Sequence, residues 1–269
     1  MVALGNSFGP NRFFPKQSQC LFSNVADAHD RGDVAQNVVH ERRRCRRDKG
    51  KERQAQRRQK GKLKIGVHIP SPGEIRQIIA NLKGRWRPLL ITATFTGLRA
   101  SELRGLRWSD VDLKANEVHV RQRADRYKKI GKPKSAAGER VVPFGKFVAN
   151  TLRDWKPACP PGDLVFPNAS GGIEAHSVIV AHGLIPAQLA AGITVNGKAK
   201  YTGLHALRHF YASWCINRPA LGGLGLDPKA VQERLGHSSI TMTMDVYGHL
   251  FPRGDDAEEL DAAELSLVG

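Results

Sequence analysis

Residues 204–209 read Leu204-His205-Ala206-Leu207-Arg208-His209, and the reading of that stretch decides how the rest of the chain is understood. Its pattern predicts a helix over about 204–217. Arg208 comes three residues after His205, so both side chains leave the same face. A guanidinium fork binds phosphate oxygens in bidentate fashion, and an imidazole donates to those oxygens or moves protons. Downstream lie Leu235-Gly236-His237-Ser238 and Met244-Asp245-Val246-Tyr247-Gly248-His249. Gly236 reads as a helix terminator that aims His237 out of the preceding helix, and the Tyr247 hydroxyl can act as a covalent nucleophile. Upstream, Thr96-Gly97-Leu98-Arg99-Ala100-Ser101-Glu102-Leu103 places a second arginine where a helix opens and its amides favour an anion. Each fragment alone is weak. The set in this order is difficult to produce by accident.

Composition agrees with a phosphate-bearing partner. The 269 residues carry a net charge of +17, which favours polyanions, and 41% hydrophobic content is enough for a packed core. The charge is concentrated: residues 41–64 hold thirteen Lys/Arg against Glu41, Asp48 and Glu52. Cys20, Cys45, Cys159 and Cys215 are scattered without a C-x-x-C pair, which argues against a zinc ribbon or disulfide scaffold and for a reduced cytoplasm. Neither a signal peptide nor an eighteen-residue apolar run is visible, so no membrane role is expected. His205 and His209 mimic a zinc pair, but Ala206 stands where H-E-x-x-H needs its glutamate, and no metal site is expected.

The texture divides the chain. Residues 1–40 are partly irregular, with one helix readable around 20–39, and 41–68 form a basic linker. The compact domain is placed at 69–250, opening with Ser71 as N-cap, Pro72 at the first helical position and Glu74 completing a capping box. Helices are expected at 86–96, 101–106, 145–156, 175–191, 204–217, 228–235 and 239–248. Short strands are expected at 111–113, 118–123 and 141–144. The fold class is therefore mainly α with a small antiparallel three-stranded sheet (α+β). Residues 251–269 are an acidic tail with Leu260, Ala263 and Leu267 roughly on one face.

The T-G-L-R-x-S-E-L, H-x-x-R, L-G-H and tyrosine motifs resemble the tyrosine recombinases (the phage integrase family) over about residues 69–250. The resemblance implies cleavage and rejoining of double-stranded DNA through a 3′-phosphotyrosyl intermediate, with no metal or other cofactor. It implies that Tyr247 is the nucleophile, that Arg99 and Arg208 stabilise charge on the non-bridging oxygens, and that His205 and His237 add hydrogen bonds. His205 is also expected to help deprotonate Tyr247. A family lysine sits on a hairpin shortly before an Arg-x-h-Pro-h strand (h apolar), here Arg140-Val141-Val142-Pro143-Phe144. That context selects Lys134 as proton donor to the leaving oxygen, with Lys132 as fallback and DNA contact. Arg42, Arg43, Arg44, Arg46 and Arg47 are the expected phosphate contacts of the linker. Glu102 and Asp110 read as structural, His209 as a packing residue, and the four tryptophans as core.

The same resemblance implies a helical core-binding domain ahead of the catalytic one, of which only residues about 20–39 resemble the last helix. The chain is therefore expected to be N-terminally truncated, with weakened DNA affinity. It also implies a C-terminal segment that packs on a neighbouring protomer of a homotetramer on DNA. Two other activities fit parts of the pattern: a type IB topoisomerase-like relaxation, and a DNA-binding remnant without catalysis.

Overall fold

The computed structural model of the chain describes residues 62–252 and 257–268. The expected helix at 20–39 and linker residues Arg42, Arg43, Arg44, Arg46 and Arg47 lie outside them. Helix α1 (Pro72–Ala80) starts where the sequence texture changes. Ser71 Oγ accepts the Glu74 N–H at 3.2 Å, and the Glu74 carboxylate accepts the Ser71 N–H at 2.7 Å, closing the predicted capping box. Helix α2 (Trp86–Thr96) is buried on nearly every side. Its Thr92, Thr94 and Thr96 hydroxyls donate to carbonyls four residues back at 2.8, 2.7 and 2.6 Å, which lets polar side chains sit in the interior.

Gly97 ends α2 at φ 60, and a Cβ there would lie 2.3 Å from the Tyr211 ring. Both the left-handed backbone and the close approach require glycine. Helix α3 (Ala100–Arg104) follows directly, and Arg99 is its cap.

Strands β1 (Val111–Asp112) and β2 (Glu117–Val120) pair antiparallel. A separate hairpin, β3 (Arg123–Ala124) with β4 (Ile130–Gly131), interrupts the chain before β5 (Arg140–Pro143) returns to pair with β2. The three-stranded order is β1-β2-β5. Val118 and Val142 face each other across the register and are both fully buried, so the sheet presents one face to the core. The expected strand at 118–123 is thus split, because Gln122 leaves the ladder and donates to the Gly105 carbonyl at 2.7 Å.

Helix α4 (Lys146–Ala158) packs on α2. The expected helix at 175–191 is α5 (His176–Ile179), a π-turn (Val180–Leu184) and α6 (Ile185–Ala190) in succession. A second hairpin that the sequence reading passed over, β6 (Thr194–Val195) and β7 (Lys198–Ala199), turns on Asn196-Gly197, both at positive φ. Asn-Gly is the pair that such a two-residue turn demands.

The C-terminal portion consists of α7 (His205–Ile216), α8 (Pro228–Leu235), α9 (Ile240–Tyr247) and α10 (Ala257–Val268). Helix α7 lies against α2 and α8, and β5 also touches α8. Trp86, Trp108, Trp155 and Trp214 all pack against the core. Among the described residues, no helix is long and apolar enough to cross a membrane.

Candidate active site

Three helix boundaries converge to make the site: the start of α3, one face of α7, and the corner between α8 and α9. Arg99 reaches that corner from the first. Its Nη2 donates to the Gly236 carbonyl at 2.8 Å, while its Nη1 pairs with Glu102 at 2.8 Å. Arg208 reaches it from α7, donating from Nη2 to the Leu235 carbonyl at 2.6 Å and from Nη1 to the Gly97 carbonyl at 2.5 Å. Two guanidiniums far apart in sequence therefore hold adjacent carbonyls. A guanidinium has five N–H donors, so each keeps donors for another ligand.

Arg208 is 3% exposed, and among the described residues no carboxylate bonds it. A buried cation without a counter-charge is costly. Burial and neighbouring Arg99 lower its pKa to about 10. Such a site gains free energy by admitting an anion.

Glu102 supplies the buried negative charge. It accepts the Arg99 N–H at 2.8 Å and bonds Arg140 from both oxygens, at 2.9 and 3.2 Å. Although burial opposes ionisation, Arg140 and Arg99 hold this carboxyl below the ordinary range. Arg140 in turn donates to the Gly138 and Arg234 carbonyls, tying the β5 entrance to α8. Glu102 and Arg140 therefore frame the site, as the structural reading of Glu102 expected. Arg140 entered that reading only as part of the Arg-x-h-Pro-h context. Asp110, also buried, pairs with Arg107 and Arg121 away from this cluster.

Gly236 at φ 63 is the predicted terminator, and a Cβ there would meet the Ala137 carbonyl and Arg140 at 2.8 Å. It turns the chain so that His237 enters the cluster. The His237 Nδ1 lies 2.9 Å from Thr243 Oγ1, a fully buried hydroxyl on α9. Burial and the surrounding Arg208, Arg99 and Arg140 lower the His237 pKa to about 4, so the ring is neutral near pH 7. Sequence reasoning missed Thr243: His237 lies in the turn before α9, and no local spacing pairs the two.

Tyr247 ends α9 and is 2% exposed. Its ring lies parallel to that of His237 at a centroid separation of 6.4 Å. Burial raises its pKa to about 12, against the pull of Arg208. The partner of its hydroxyl is His209 Nδ1 at 2.7 Å, not His205. The expectation that His209 merely packs is therefore corrected: α7 turns it toward α9, one residue beyond Arg208. His205 opens toward solvent and meets the His209 ring edge-on at 4.5 Å. Its pKa is lowered by desolvation and by Arg208 and Arg99. His249 donates from Nε2 to the Leu63 carbonyl at 2.7 Å, securing the entry to the domain.

Lys134 and Lys132 are both exposed, and they lie between β4 and β5 rather than on a strand. The same loop presses the Ala137 carbonyl against Gly236, which brings its backbone to the α8–α9 corner. The structure thus gathers Arg99, His205, Arg208, His237 and Tyr247 by bonds and ring contacts, and leaves Lys134 exposed on the segment between β4 and β5.

The family model described as "Phage integrase family" matches residues 71–253. The tyrosine recombinase XerC of Xylella fastidiosa (strain 9a5c) is 38% identical over 169 residues, covering 62% of this chain and 49% of that protein. XerC of Haemophilus influenzae (strain PittEE) is 30% identical over 199 residues, covering 70% and 59%. The chain spans about half the length of the curated relatives it matches. Among solved structures, the Tn1549 transposon integrase in complex with circular intermediate DNA aligns with a TM-score of 0.60 at 19% identity, covering 94% of this chain and 87% of that one. The XerA recombinase aligns at 0.55 and 20% identity, covering 76% and 66%. These two show likeness of fold. With two arginines, two histidines and a tyrosine already assembled at one corner, the match over 71–253 completes the assignment: this chain belongs to the phage integrase family of tyrosine recombinases.

Proposed function

We propose that the chain is a site-specific DNA recombinase/integrase that cleaves and rejoins DNA strands through a 3′-phosphotyrosyl intermediate, working in the cytoplasm. In this reading the Tyr247 oxygen bonds to the scissile phosphorus as the bond from phosphorus to the 5′ oxygen breaks. The phenolic proton is lost to solvent as this bond forms, and Lys134 protonates the departing oxygen. Arg99 and Arg208 stabilise the charge that develops on the non-bridging oxygens, with His237 as a further donor. Attack of the freed 5′-hydroxyl in reverse, on a partner strand, restores the phosphodiester and releases Tyr247.

The observation that carries this reading is Arg208: buried, bonded among the described residues only to carbonyls, and beside Arg99 and the Tyr247 ring. The Tn1549 integrase neighbour, solved in complex with circular intermediate DNA, supports the substrate class. The test uses a pool of nicked duplexes with a randomised core, in which release of a short fragment traps the covalent adduct. An SDS-resistant protein–DNA adduct that disappears in Tyr247→Phe is the expected result. No adduct under any condition would sink the enzymatic reading and leave a DNA-binding remnant.

The partners proposed are double-stranded DNA and further copies of this chain. Phosphate contacts from Arg42, Arg43, Arg44, Arg46, Arg47 and Lys132 would make binding weaken steeply with salt. Copies would meet through α10, on which Leu260 and Leu267 are exposed. A homotetramer on DNA that is lost when residues 254–269 are removed is the expected outcome of size measurements.

A further inference from the structure

The catalytic reading leaves one polar contact unused, the bond between the Tyr247 hydroxyl and His209. We propose that His209 is the positioning residue of the nucleophile: its Nδ1 accepts the Tyr247 O–H and sets the direction from which the phenol oxygen meets phosphorus. This rests on the recombinase reading of Tyr247.

Four observations support it. The contact is short, 2.7 Å, and joins α7 to the last residue of α9. It is enclosed, since Tyr247 is among the largest fully buried side chains. The two rings also meet at 63° with centroids 5.7 Å apart, so the imidazole limits tilting of the phenol. Finally, His209 follows Arg208 directly. The helix that sets the phosphate-binding guanidinium therefore also sets the nucleophile's partner, and the two cannot drift apart without bending α7.

The groups facing His209 decide which atom donates. His205 and Arg208 come from its own helix, His68 from the segment before α1, and Tyr247 from α9. Burial, then His205, Arg208 and His68, lower its pKa to about 4, which leaves the imidazole neutral near pH 7. A neutral ring accepts at one nitrogen, and the protonated phenol donates to it. Burial holds the imidazole below and the phenol above their ordinary values, so the proton stays on the phenol. The histidine gives direction, not basicity. Orientation alone is worth a great deal in an in-line displacement, where a misplacement of about 1 Å costs about a hundredfold.

The experiment compares His209→Leu with His209→Asn in the full 269-residue chain. Asparagine offers its side-chain oxygen near the place of Nδ1, and leucine offers nothing. The single-turnover rate of adduct formation on the nicked-duplex pool is expected to fall about a hundredfold in His209→Leu and to recover to within about tenfold in His209→Asn. DNA affinity and the circular dichroism spectrum should match the parent. A second readout needs no activity. With tyrosine labelled at 13Cζ, the Tyr247 resonance, identified by Tyr247→Phe, is expected to move in His209→Leu and return toward the parent in His209→Asn. An unmoved resonance overturns the proposal, as does a folded His209→Leu that cleaves at the parental rate, or a folded His209→Asn as slow as the leucine variant. A parent chain that forms no adduct sinks the recombinase reading itself, which is a different result from an adduct unaffected by His209.

Discussion

Arg99 and Arg208 point at neighbouring carbonyls of one corner, yet they are held in opposite ways. Arg99 is about one-third exposed and charge-balanced by Glu102, whose carboxylate is also shared with Arg140. Arg208 is buried and, among the described residues, bonded to carbonyls alone. The difference separates placing a charge from leaving one uncompensated. The Glu102 cluster builds a rigid frame from the start of α3 to β5 and α8. On the Arg208 side, among the described residues, the guanidinium is bonded to carbonyls and to no carboxylate, which in the proposed function leaves its charge for a phosphate. Rigidity on one side preorganises the other, and this is how an electrostatic site stabilises a transition state without reorganising.

The comparison can be broken at four places. The largest effect is expected from Arg208→Ala, which removes the uncompensated cation. Adduct formation should slow by about a thousandfold or more, the range seen when a transition-state arginine is removed from phosphoryl transfer. Single-turnover cleavage measures it, and a loss under tenfold would mean that the charge is not used. Glu102→Gln comes next. Arg140, 6% exposed, loses its buried counter-charge, and urea denaturation should show a stability loss of about 3–5 kcal/mol. A loss confined to cleavage rate, with stability intact, would place Glu102 in the chemistry instead of the frame.

Thr243→Val tests a smaller contact. It keeps the volume and deletes the partner of His237 Nδ1, so a loss of about 1 kcal/mol in stability is expected, with cleavage slowed about tenfold. Acid supplies a test of another kind. His209 and His237 both have folded pKa values of about 4, below the ordinary histidine value. The unfolded chain therefore binds more protons between about pH 6.5 and 4, and stability should fall as pH drops through that window. Their penalty is absent above about pH 6.5 and fully present below about pH 4. A melting temperature followed from pH 7.5 to 4.5 reads it, and His209→Leu should flatten the slope.

Much of the domain was legible because its signals are local. Ser71 and Glu74 announced α1, Gly97 and Gly236 announced two helix ends, and the apolar spacing of 86–96 announced a helix that the structure reproduces residue for residue. The two small hairpins were less legible. Their strands are two residues long, too short for alternation to register, and only Asn196-Gly197 carried a turn signal. The long helix at 175–191 hid its π-turn, where Gly183 lets the chain approach Trp86 within about van der Waals contact.

The sequence by itself determined which side chains are candidates for the chemistry, since arginine, histidine and tyrosine in motif order retain their reactivity wherever the chain goes. Helical spacing even placed His205 and Arg208 on a common face. Only the tertiary structure decided who touches whom: that Arg208 bonds two carbonyls, that Glu102 serves two arginines, and that the Tyr247 hydroxyl meets His209 and not His205. The physical reason is range. Propensity and capping act over a few residues of chain, whereas desolvation and counter-charge also arise from segments 38 to 111 positions apart, brought together by packing.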